Sequence, residues 1–450
     1  MKKDRWNISS ASSVPLESGA RVAVVGGGPA GSFFGYLLLE YADRVGIDLS
    51  VTTFEPRNFA GIGPASCNMC GGIISESLVQ VLASVGINLP SGVVQRGIDS
   101  YVLHMDVGSV RIETPLREMR IGAVHRASGP RDLKVARWAS FDGFLENLAV
   151  VRGATVVRDK VTELHLDGDR PRIVAGGRPP QAFDLVAVAS GINAATLKVT
   201  GVEFQAPKTT KTLIREYFLG EETINRHLGT SMHVFLLPVP GLEFGAIIPK
   251  GDYVSVCLLG NDLDKAAYDS FIGAEQVRAC MPAGWDPQKN SCQCAPRINV
   301  LGAPQPYAQR VVFIGDSGST RLYKDGIGAA YRTANAAARA AVFHGVGKED
   351  FETYYRPACE RIEKDNAIGR FMFGMTGYVH KSATLRRALL DMTRSEQRRA
   401  GERRRMSAVL WDLFTGSSSY RQILARTFHP AFWGRLGYNI VRSSVTARRA

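Results

Sequence analysis

The chain has 450 residues, of which 45% are hydrophobic, and it carries a formal net charge of +13. This composition is typical of a globular protein with room for two hydrophobic cores. Seven cysteines are an odd number that argues against a disulfide framework and favours a reducing, cytoplasmic location. No stretch is typical of a membrane span, and the long uncharged run 22–39 contains five glycines and a proline.

The first 19 residues are polar and lack the apolar segment of a secretory signal. We therefore expect residues 1–19 to form a mobile N-terminal arm.

The first predicted structural unit is a strand, a glycine turn and a helix in "RVAVVGGGPAGSFFGYLLLEYA". Gly26, Gly28 and Gly31 stand at the three positions of a dinucleotide-binding turn at which a side chain does not fit. The first glycine makes the tight turn, the second lets the backbone approach a pyrophosphate, and the third lets helix and strand pack closely. Pro29 and Ala30 open the helix, whose unpaired N–H groups favour an anion. The pattern predicts a dinucleotide site.

The next predicted strand, "DLSVTTFEP", ends in Glu55. A carboxylate at this strand end can accept hydrogen bonds from a ribose 2′-hydroxyl. This favours an adenosine without a 2′-phosphate.

The stretch "SCNMCGGIIS" follows, with Cys67 and Cys70 two residues apart and a glycine pair after them. The spacing fits half of a zinc site, a redox dithiol, or a loop that brings one thiol to a cofactor. A zinc site needs partners, and the other close pair, Cys292 and Cys294, has short spacing and no neighbouring histidine. We expect no metal and leave a Cys67–Cys70 disulfide open.

The middle of the chain predicts a helix and strand in "RWASFDGFLENLAVVRGATVVRD" and a strand in "FDLVAVASGINA". Alternating strands are predicted in "IDSYVLHMDVGSVRIETP", "TKTLIREYFLG" and "MHVFLLPVPGLEFGAIIPKGDYVSVCLLG". The histidines on these strands or at their edges have no regular spacing, and we expect them to be structural: His104, His125, His227 and His233.

A second glycine turn follows the predicted strand 311–314. Gly315 and Asp316 end this strand, and an aspartate there can hold the ribityl hydroxyls of a flavin. Gly326, Ile327 and Gly328 then open an alanine-rich helix, whose N-terminus can face the O2 edge of the flavin, where negative charge develops on reduction.

This order of motifs resembles the flavoprotein group that includes p-hydroxybenzoate hydroxylase and the geranylgeranyl reductases, over roughly residues 20–345. The resemblance implies an α/β fold with a discontinuous Rossmann-like FAD-binding domain (20–85, 120–204 and 296–345) and an inserted β-rich substrate domain (86–119 and 205–295). It also implies that Arg137 lies close to the FAD. No second glycine fingerprint follows a strand, so we expect NAD(P)H or another electron donor to bind only transiently.

Within this group, Cys70-Gly71-Gly72 resembles the motif of geranylgeranyl reductases, in which a cysteine faces the isoalloxazine ring. The resemblance makes Cys70 the candidate catalytic residue, and a small buried hydrophobe is the alternative. "GLEFGAIIPKGD" keeps the frame of a second motif with Phe244 and Ile248, but Ala246 replaces its tryptophan. Tyr323 replaces a proline of the family.

We expect Phe244, Ile248 and Lys324 to contact the substrate. Lys324 and Asp325 directly precede the second glycine turn, where a charged pair can contact the cofactor or a substrate head group. Surface ion pairing is the alternative.

The region 346–450 is predicted to be helical and basic: from Lys381 onwards it has 15 basic residues against 4 acidic ones, a net charge of +11. Its aromatic residues alternate with arginines, which suits an anionic membrane surface. A helical cap on the substrate domain and a nucleic-acid contact are the alternatives. We expect membrane contact and no nucleic-acid partner.

The sequence thus predicts a FAD-dependent reductase of carbon–carbon double bonds in an isoprenoid or other long apolar substrate. The protein would be cytoplasmic or peripheral to a membrane. The alternatives are a FAD-dependent monooxygenase of an aromatic or lipid substrate, and a membrane-recruited flavin-binding electron-relay protein.

Overall fold

The structure, a computed structural model, describes residues 14–113, 119–131, 138–289, 291–399 and 404–447. Its strands are β1 (Ala20–Val25), β2 (Leu49–Phe54), β3 (Ile73–Ile74), β4 (Val94–Ile98), β5 (Ser100–Met105), β6 (Gly108–Glu113), β7 (Ile121–Val124), β8 (Thr155–Val157), β9 (Val161–His165), β10 (Arg172–Ala175), β11 (Gln181–Ala182), β12 (Leu185–Val188), β13 (Lys198–Thr200), β14 (Lys208–Lys211), β15 (Leu213–Phe218), β16 (Ser231–Leu236), β17 (Leu242–Pro249), β18 (Tyr253–Gly260), β19 (Ser291–Cys294), β20 (Arg297–Leu301), β21 (Tyr307–Ala308) and β22 (Val311–Phe313).

The α-helices are α1 (Pro29–Val45), α2 (Glu76–Ser84), α3 (Phe141–Val151), α4 (Glu221–His227), α5 (Lys265–Gly273), α6 (Glu275–Arg278), α7 (Gly326–Phe343), α8 (Lys348–Tyr354), α9 (Arg356–Lys381), α10 (Ala383–Arg398), α11 (Arg405–Thr415), α12 (Tyr420–Thr427) and α13 (Pro430–Ala447). Two short 3₁₀ helices span Gly191–Thr196 and Gly315–Ser317.

A six-stranded sheet with the order β21-β22-β12-β1-β2-β8 forms the first part of the fold. All its pairings are parallel except that of β21 with β22. Its central strands are apolar and buried because helices α1 and α7 cover it. The chain leaves β1 for β2 on one side and returns to β12 on the other, so a crevice forms outside the carboxyl end of β1.

A seven-stranded sheet with the order β19-β15-β18-β17-β16-β5-β6 forms the second part. All its strands come from 86–119 and 205–295, whereas all strands of the six-stranded sheet come from 20–85, 120–204 and 296–345. Two small sheets cross these boundaries, because β4 pairs with β7 and β14 pairs with β20. The two parts are therefore joined by shared strands as well as by chain connections.

The end of the expected N-terminal arm is part of the folded body. Leu16 is only 7% exposed and belongs to the core under the six-stranded sheet. The backbone N–H of Val346 donates to the carbonyl of Val14 at 2.9 Å. The expectation of a mobile arm is thus wrong for residues 14–19, because an apolar side chain anchors them; residues 1–13 lie outside the described residues.

Helices α9 to α13 pack against the seven-stranded sheet. Their apolar residues share one core with β5, β16 and β17, among them Phe373, Leu390, Leu410, Phe414 and Ile423. None of the helices in the described part of the chain is long and apolar enough to cross a bilayer.

Candidate functional site

The turn between β1 and α1 is closed by two glycines that no other residue can replace without a clash. A Cβ on Gly26, which has a φ of 106°, would lie 2.4 Å from the carbonyl oxygen of Ala189. A Cβ on Gly31 would lie 1.9 Å from the carbonyl oxygen of Gly26. Gly28 is different, because its Cβ would meet only Asn68 Nδ2, at 3.2 Å; it borders a cleft.

Helix α1 points its N-terminus into this cleft. Pro29 is its first residue, no side chain caps it, and no acidic residue lies in its first turn. Pro29 and Ala30 line the cleft. The free N–H groups of this turn are therefore open to an anionic ligand.

Glu55 follows β2 at the same edge of the sheet and is 6% exposed. Its Oε2 accepts a hydrogen bond from the Gly27 N–H at 2.8 Å, and its Oε1 accepts one from the Arg57 N–H at 2.9 Å. Burial raises the pKa of this carboxyl, while the two N–H donors act in the opposite direction. Each oxygen keeps a lone pair for a further donor, so the group can also accept from ligand hydroxyls.

The end of β22 contributes the second side of the cleft. A Cβ on Gly315, which has a φ of 58°, would lie 2.7 Å from Ala30 Cβ, so this glycine lets the two glycine turns meet. Asp316 lines the cleft. Burial raises the pKa of Asp316, and the Thr320 hydroxyl and the charge of Arg126 oppose this shift.

Helix α7 begins at Gly326 without a side-chain cap. The carboxylate of the preceding Asp325 lies against the first turn but makes no capping hydrogen bond. It accepts hydrogen bonds from Ser75 Oγ at 2.7 Å and Arg332 Nη2 at 2.9 Å. A Cβ on Gly328 would lie 2.3 Å from Asp325 Oδ1. Gly326 and Ile327, the first two residues of α7, line the cleft.

These elements enclose one cleft with a cavity volume of about 450 Å³. The expected site residues that line it are Gly26, Gly28, Pro29, Ala30, Glu55, Cys70, Phe244, Ile248, Asp316, Lys324, Gly326 and Ile327. Gly31, Gly315 and Gly328 are not among the lining residues, but each lets a neighbouring backbone or side chain approach closely behind the cleft. Arg137 lies outside the described residues.

The loop that carries Cys70 passes close under β7. A Cβ on Gly72, which has a φ of 69°, would lie 2.0 Å from the carbonyl oxygen of Val124, so only glycine fits there. The Gly72 N–H donates to Cys70 Sγ at 3.3 Å. All seven cysteines are free thiols, so the structure contains no Cys67–Cys70 disulfide.

Behind Cys70 lies a small cavity lined by four of the seven cysteines: Cys67, Cys70, Cys292 and Cys294. In the sequence, Cys67 and Cys70 form one close pair, and Cys292 and Cys294 form another pair far along the chain. The antiparallel pairing of β19 with β15 brings the second pair to the first.

A buried cluster of charged and hydrogen-bonded side chains lies beside this cysteine-lined cavity, and its His125 and Glu216 contribute to the lining. Glu216 accepts hydrogen bonds from Lys250 Nζ at 3.2 Å and Ser255 Oγ at 2.8 Å, and it lies 3.2 Å from His125 Nε2. Although burial alone would raise it, the pKa of Glu216 is lowered to about 2 by Lys250 and His125. Since His125 Nδ1 accepts from the Ala127 N–H at 3.0 Å, the proton is on Nε2, which donates to Glu216.

The far wall of the cleft is apolar. Phe244 and Ile248 lie on β17, and the other apolar residues of this wall include Met232, Ala246, Leu258, Leu259 and Phe414. Phe414 comes from α11, so the C-terminal region helps to enclose the cleft.

Lys324 places a cation among these apolar residues. Its Nζ lies 4.0 Å from the ring centroid of Phe244 and 5.5 Å from that of Phe414. Burial lowers the pKa of Lys324 to about 7. Among the residues that the structure describes, no carboxylate pairs with it, so the ammonium is available to a ligand.

The loop before Lys324 follows a path that the family's proline could not take. Tyr323 has a φ of 56°, whereas the ring of proline fixes φ near −65°. The replacement noted in the sequence therefore changes the backbone that carries Lys324.

The sequence analysis missed Arg126, which lines the cleft just after β7. Its Nε lies 2.5 Å and its Nη2 3.0 Å from the carboxylate oxygens of Asp142 in the first turn of α3. Asn68 also donates to Asp142 and lines the cleft. The only sequence signal for Arg126 was a polar residue at a strand end.

No family model matches the sequence, and no curated protein matches it either. Solved structures do match. One is a geranylgeranyl bacteriochlorophyll reductase-like protein from Thermoplasma acidophilum, with a TM-score of 0.63 and 16% identity over 91% of this chain and 98% of that chain. Another is 2-methyl-3-hydroxypyridine-5-carboxylic acid oxygenase, with a TM-score of 0.59 and 14% identity over 81% of this chain and 93% of that chain.

A third is a mutant of the halogenase PltM in complex with FAD, with a TM-score of 0.58 and 12% identity over 95% of this chain and 92% of that chain. The chain thus has the flavoprotein fold that these reductase-like, oxygenase and halogenase structures share. The fold class expected from the sequence, with its helical C-terminal extension, is confirmed.

Proposed function

We propose that the protein is a FAD-dependent reductase of carbon–carbon double bonds in an isoprenoid or other long apolar substrate. The observation that carries this proposal is the position of Cys70 between the two glycine turns and the apolar wall of one cleft. The likeness to a geranylgeranyl bacteriochlorophyll reductase-like protein supports it.

The residues of the cleft fit FAD. The uncapped N-terminus of α1 suits the pyrophosphate, and the buried carboxylate of Glu55 suits ribose hydroxyls. Asp316 suits the ribityl hydroxyls, and the uncapped N-terminus of α7 suits the edge of the flavin that becomes negative. NAD(P)H or another donor would reduce the cofactor without a stable binding domain of its own.

When bound and reduced, FAD supplies a hydride equivalent for a double bond. The thiol of Cys70 supplies the proton that completes the saturated bond and is left as a thiolate. The Gly72 N–H, whose nitrogen lies 3.3 Å from Sγ, donates a hydrogen bond to this sulfur. The apolar wall holds the substrate and excludes water.

Changing Cys70 to alanine should slow substrate reduction by about 100-fold or more, the usual contribution of a positioned acid. The measurement is anaerobic reduction of the bound FAD followed by mixing with prenyl lipids, with flavin reoxidation and product mass recorded. Each reduced bond adds two hydrogens. Cys67→Ala is the matched control, because Cys67 lies in the same loop but does not line the cleft.

Three results would contradict the proposal. Reoxidation that needs oxygen and gives a hydroxylated product would identify a monooxygenase. Reoxidation by a partner protein alone, with no product from any prenyl lipid, would identify an electron-relay protein. Equal rates for Cys70→Ala and Cys67→Ala would remove Cys70 from the reaction.

The substrate in this proposal carries a polar or anionic end, since Lys324 offers an ammonium beside Phe244 without a carboxylate partner in the described part of the chain. The same assay should favour prenyl diphosphates over prenyl alcohols below pH 7. Because the pKa of Lys324 is lowered to about 7, this preference should fade as the pH rises through that value.

We also propose that α13 contacts an anionic membrane surface. The inner side of the helix buries Phe432, Asn439 and Ser443. On its outer side Trp433, Tyr438 and Val441 are 57%, 66% and 64% exposed, which is more apolar surface than a helix that faces water usually carries. Its exposed arginines, Arg435 and Arg442, suit anionic lipid head groups.

The wild-type protein should sediment with vesicles that contain phosphatidylglycerol more than with pure phosphatidylcholine vesicles, and salt should weaken the binding. Replacing Trp433, Tyr438 and Val441 with serine should lower the bound fraction at least tenfold. Changing exposed Phe218 to serine is the control, because this residue lies on β15. Equal binding by all variants, or dimerisation through α13 without vesicle binding, would refute the membrane contact.

A further inference from the structure

Three buried side chains on the seven-stranded sheet converge away from the cleft. His104 Nε2 lies 2.9 Å from His233 Nδ1, and Cys280 Sγ lies 3.7 Å and 3.4 Å from these two nitrogens. Within the ranges that the structure describes, no other group of three or more His, Cys, Asp or Glu residues has its ligand atoms so close together, all within 4.8 Å. The three side chains are 8%, 7% and 5% exposed.

The spacing of these atoms is close to that of three corners of a zinc tetrahedron. Zinc bonds of about 2.05 Å to nitrogen and about 2.3 Å to sulfur place two nitrogens about 3.4 Å apart and nitrogen and sulfur about 3.6 Å apart. The two sulfur–nitrogen distances, 3.7 Å and 3.4 Å, bracket this value. The nitrogen–nitrogen distance of 2.9 Å is shorter by about half an ångström, so an ion would move the rings slightly apart.

The outer hydrogen bonds orient both rings as zinc ligands require. An N–H of the His233 ring donates to the carbonyl of Leu228, which leaves a lone pair on Nδ1 of the neutral ring. His104 Nδ1 is held by Ser109 Oγ at 2.8 Å, which turns Nε2 towards the cluster. Metal-bound histidines usually have such partners on the other ring nitrogen.

Strand register explains why these residues meet. His104 on β5 pairs with Phe235, the residue two positions after His233 on the neighbouring parallel strand β16, so both histidines lie on one face of the sheet. Cys280 follows α6, and it packs with Val277 of α6 and Phe235 of β16 in one core on that face. Met232, one residue before His233, lines the cleft on the opposite face.

We propose that His104, His233 and Cys280 bind a structural Zn²⁺ ion that fastens the segment after α6 to strands β5 and β16. The thiol proton of Cys280 leaves to solvent as the zinc–sulfur bond forms. His104 Nε2, which donates its proton to His233 Nδ1 in the metal-free cluster, changes tautomer, so that Nδ1–H donates to Ser109 Oγ and Nε2 is free to bind the ion. A water molecule completes the four ligands. The site is separate from the cleft and independent of the proposed reductase activity. It also revises the expectation, drawn from sequence spacing, that the chain binds no metal.

The test is the zinc content of untagged full-length protein purified without chelators. Wild-type protein should contain about one zinc per chain, and Cys280→Ser should contain less than about a tenth of that. Cys359→Ser is the matched control, since Cys359 is 4% exposed but lies on α9, and it should retain the metal. Far-ultraviolet circular dichroism and FAD content should be unchanged in both variants.

A second measurement on the wild-type protein does not depend on how the variants fold. Metal-free protein incubated with Co²⁺ should take up one equivalent and show the intense red-region absorption of a tetrahedral thiolate site, where oxidised flavin does not absorb. Its thermal midpoint should rise on adding Zn²⁺. Wild-type protein that binds neither metal, or Cys280→Ser that keeps its zinc, overturns the proposal and leaves a hydrogen-bonded cluster of neutral histidines and a thiol.

Discussion

Changing Gly28 to valine is expected to weaken FAD binding by about 5- to 150-fold while the protein still folds. A Cβ at this position would meet only Asn68 Nδ2, at 3.2 Å, and the backbone has a φ of −65°, which any residue adopts. The added side chain would occupy the cleft beside the N-terminus of α1, where overpacking costs about 1–3 kcal/mol, and each 1.4 kcal/mol is tenfold in Kd. Titration of the FAD-free protein with FAD, followed by fluorescence quenching, measures the change.

Gly35→Ala is the control for this variant, because Gly35 lies in the same helix. Its Cβ would be 3.6 Å from Ala149 Cβ, an ordinary contact. This variant should bind FAD as the wild type does. If Gly28→Val bound FAD with unchanged affinity, the glycine turn would not be the phosphate site.

Changing Arg126 to methionine is expected to destabilise the protein by about 3–5 kcal/mol, since it would leave the Asp142 carboxylate buried without its cation. The Asp142 side chain is fully buried, and that of Arg126 is 9% exposed, with their closest atoms 2.5 Å apart. Urea unfolding of FAD-free protein, followed by circular dichroism, measures the free energy of unfolding without a contribution from the ligand.

The surface pair of Arg44 and Glu40 provides the comparison. Their atoms also approach closely, at 2.9 Å, but the Arg44 side chain is 62% exposed. Arg44→Met should cost no more than about 0.5 kcal/mol. Similar losses for the two variants would mean that the Arg126–Asp142 pair is not isolated from solvent.

The half of the cleft around the two glycine turns was largely predictable from sequence because its geometry is local. Gly26 and Gly31 belong to one turn, and Glu55 ends the next strand along the chain, so spacing alone indicates where each lies. The turn at Gly315 and Asp316 is another compact strand–turn–helix unit. In such units the backbone requirement and the residue that meets it lie within about 30 positions.

The remaining features depend on contacts between distant segments, which spacing does not encode. His104 and His233 are 129 positions apart and meet only through the register of two parallel strands. The lowered pKa of Lys324 depends on its burial among residues such as Phe244 and Phe414. Neither the histidine contact nor the lowered pKa can be derived from the residues next to these positions. The sequence could therefore suggest that Lys324 contacts a ligand, but not that its pKa is lowered.

The burial of the aromatic residues in the C-terminal region could not be predicted from their pattern either. Phe373 and Phe414 are buried in the shared core, whereas Phe371 and Trp433 are 60% and 57% exposed. Both sets alternate with arginines in the sequence. Helix packing decides which aromatic residues face outward, so the cap and membrane-contact interpretations describe different faces of the same helices.

The contribution of α11 to the cleft has a consequence for biogenesis. Phe414 and Thr415 line the same cavity as Gly26, and the carbonyl of Gly416 accepts from Arg321 Nη1 at 2.5 Å. The cavity can therefore form only after the chain has been synthesised as far as α11. Premature termination anywhere upstream of α11 consequently yields a chain that lacks one wall of the cavity.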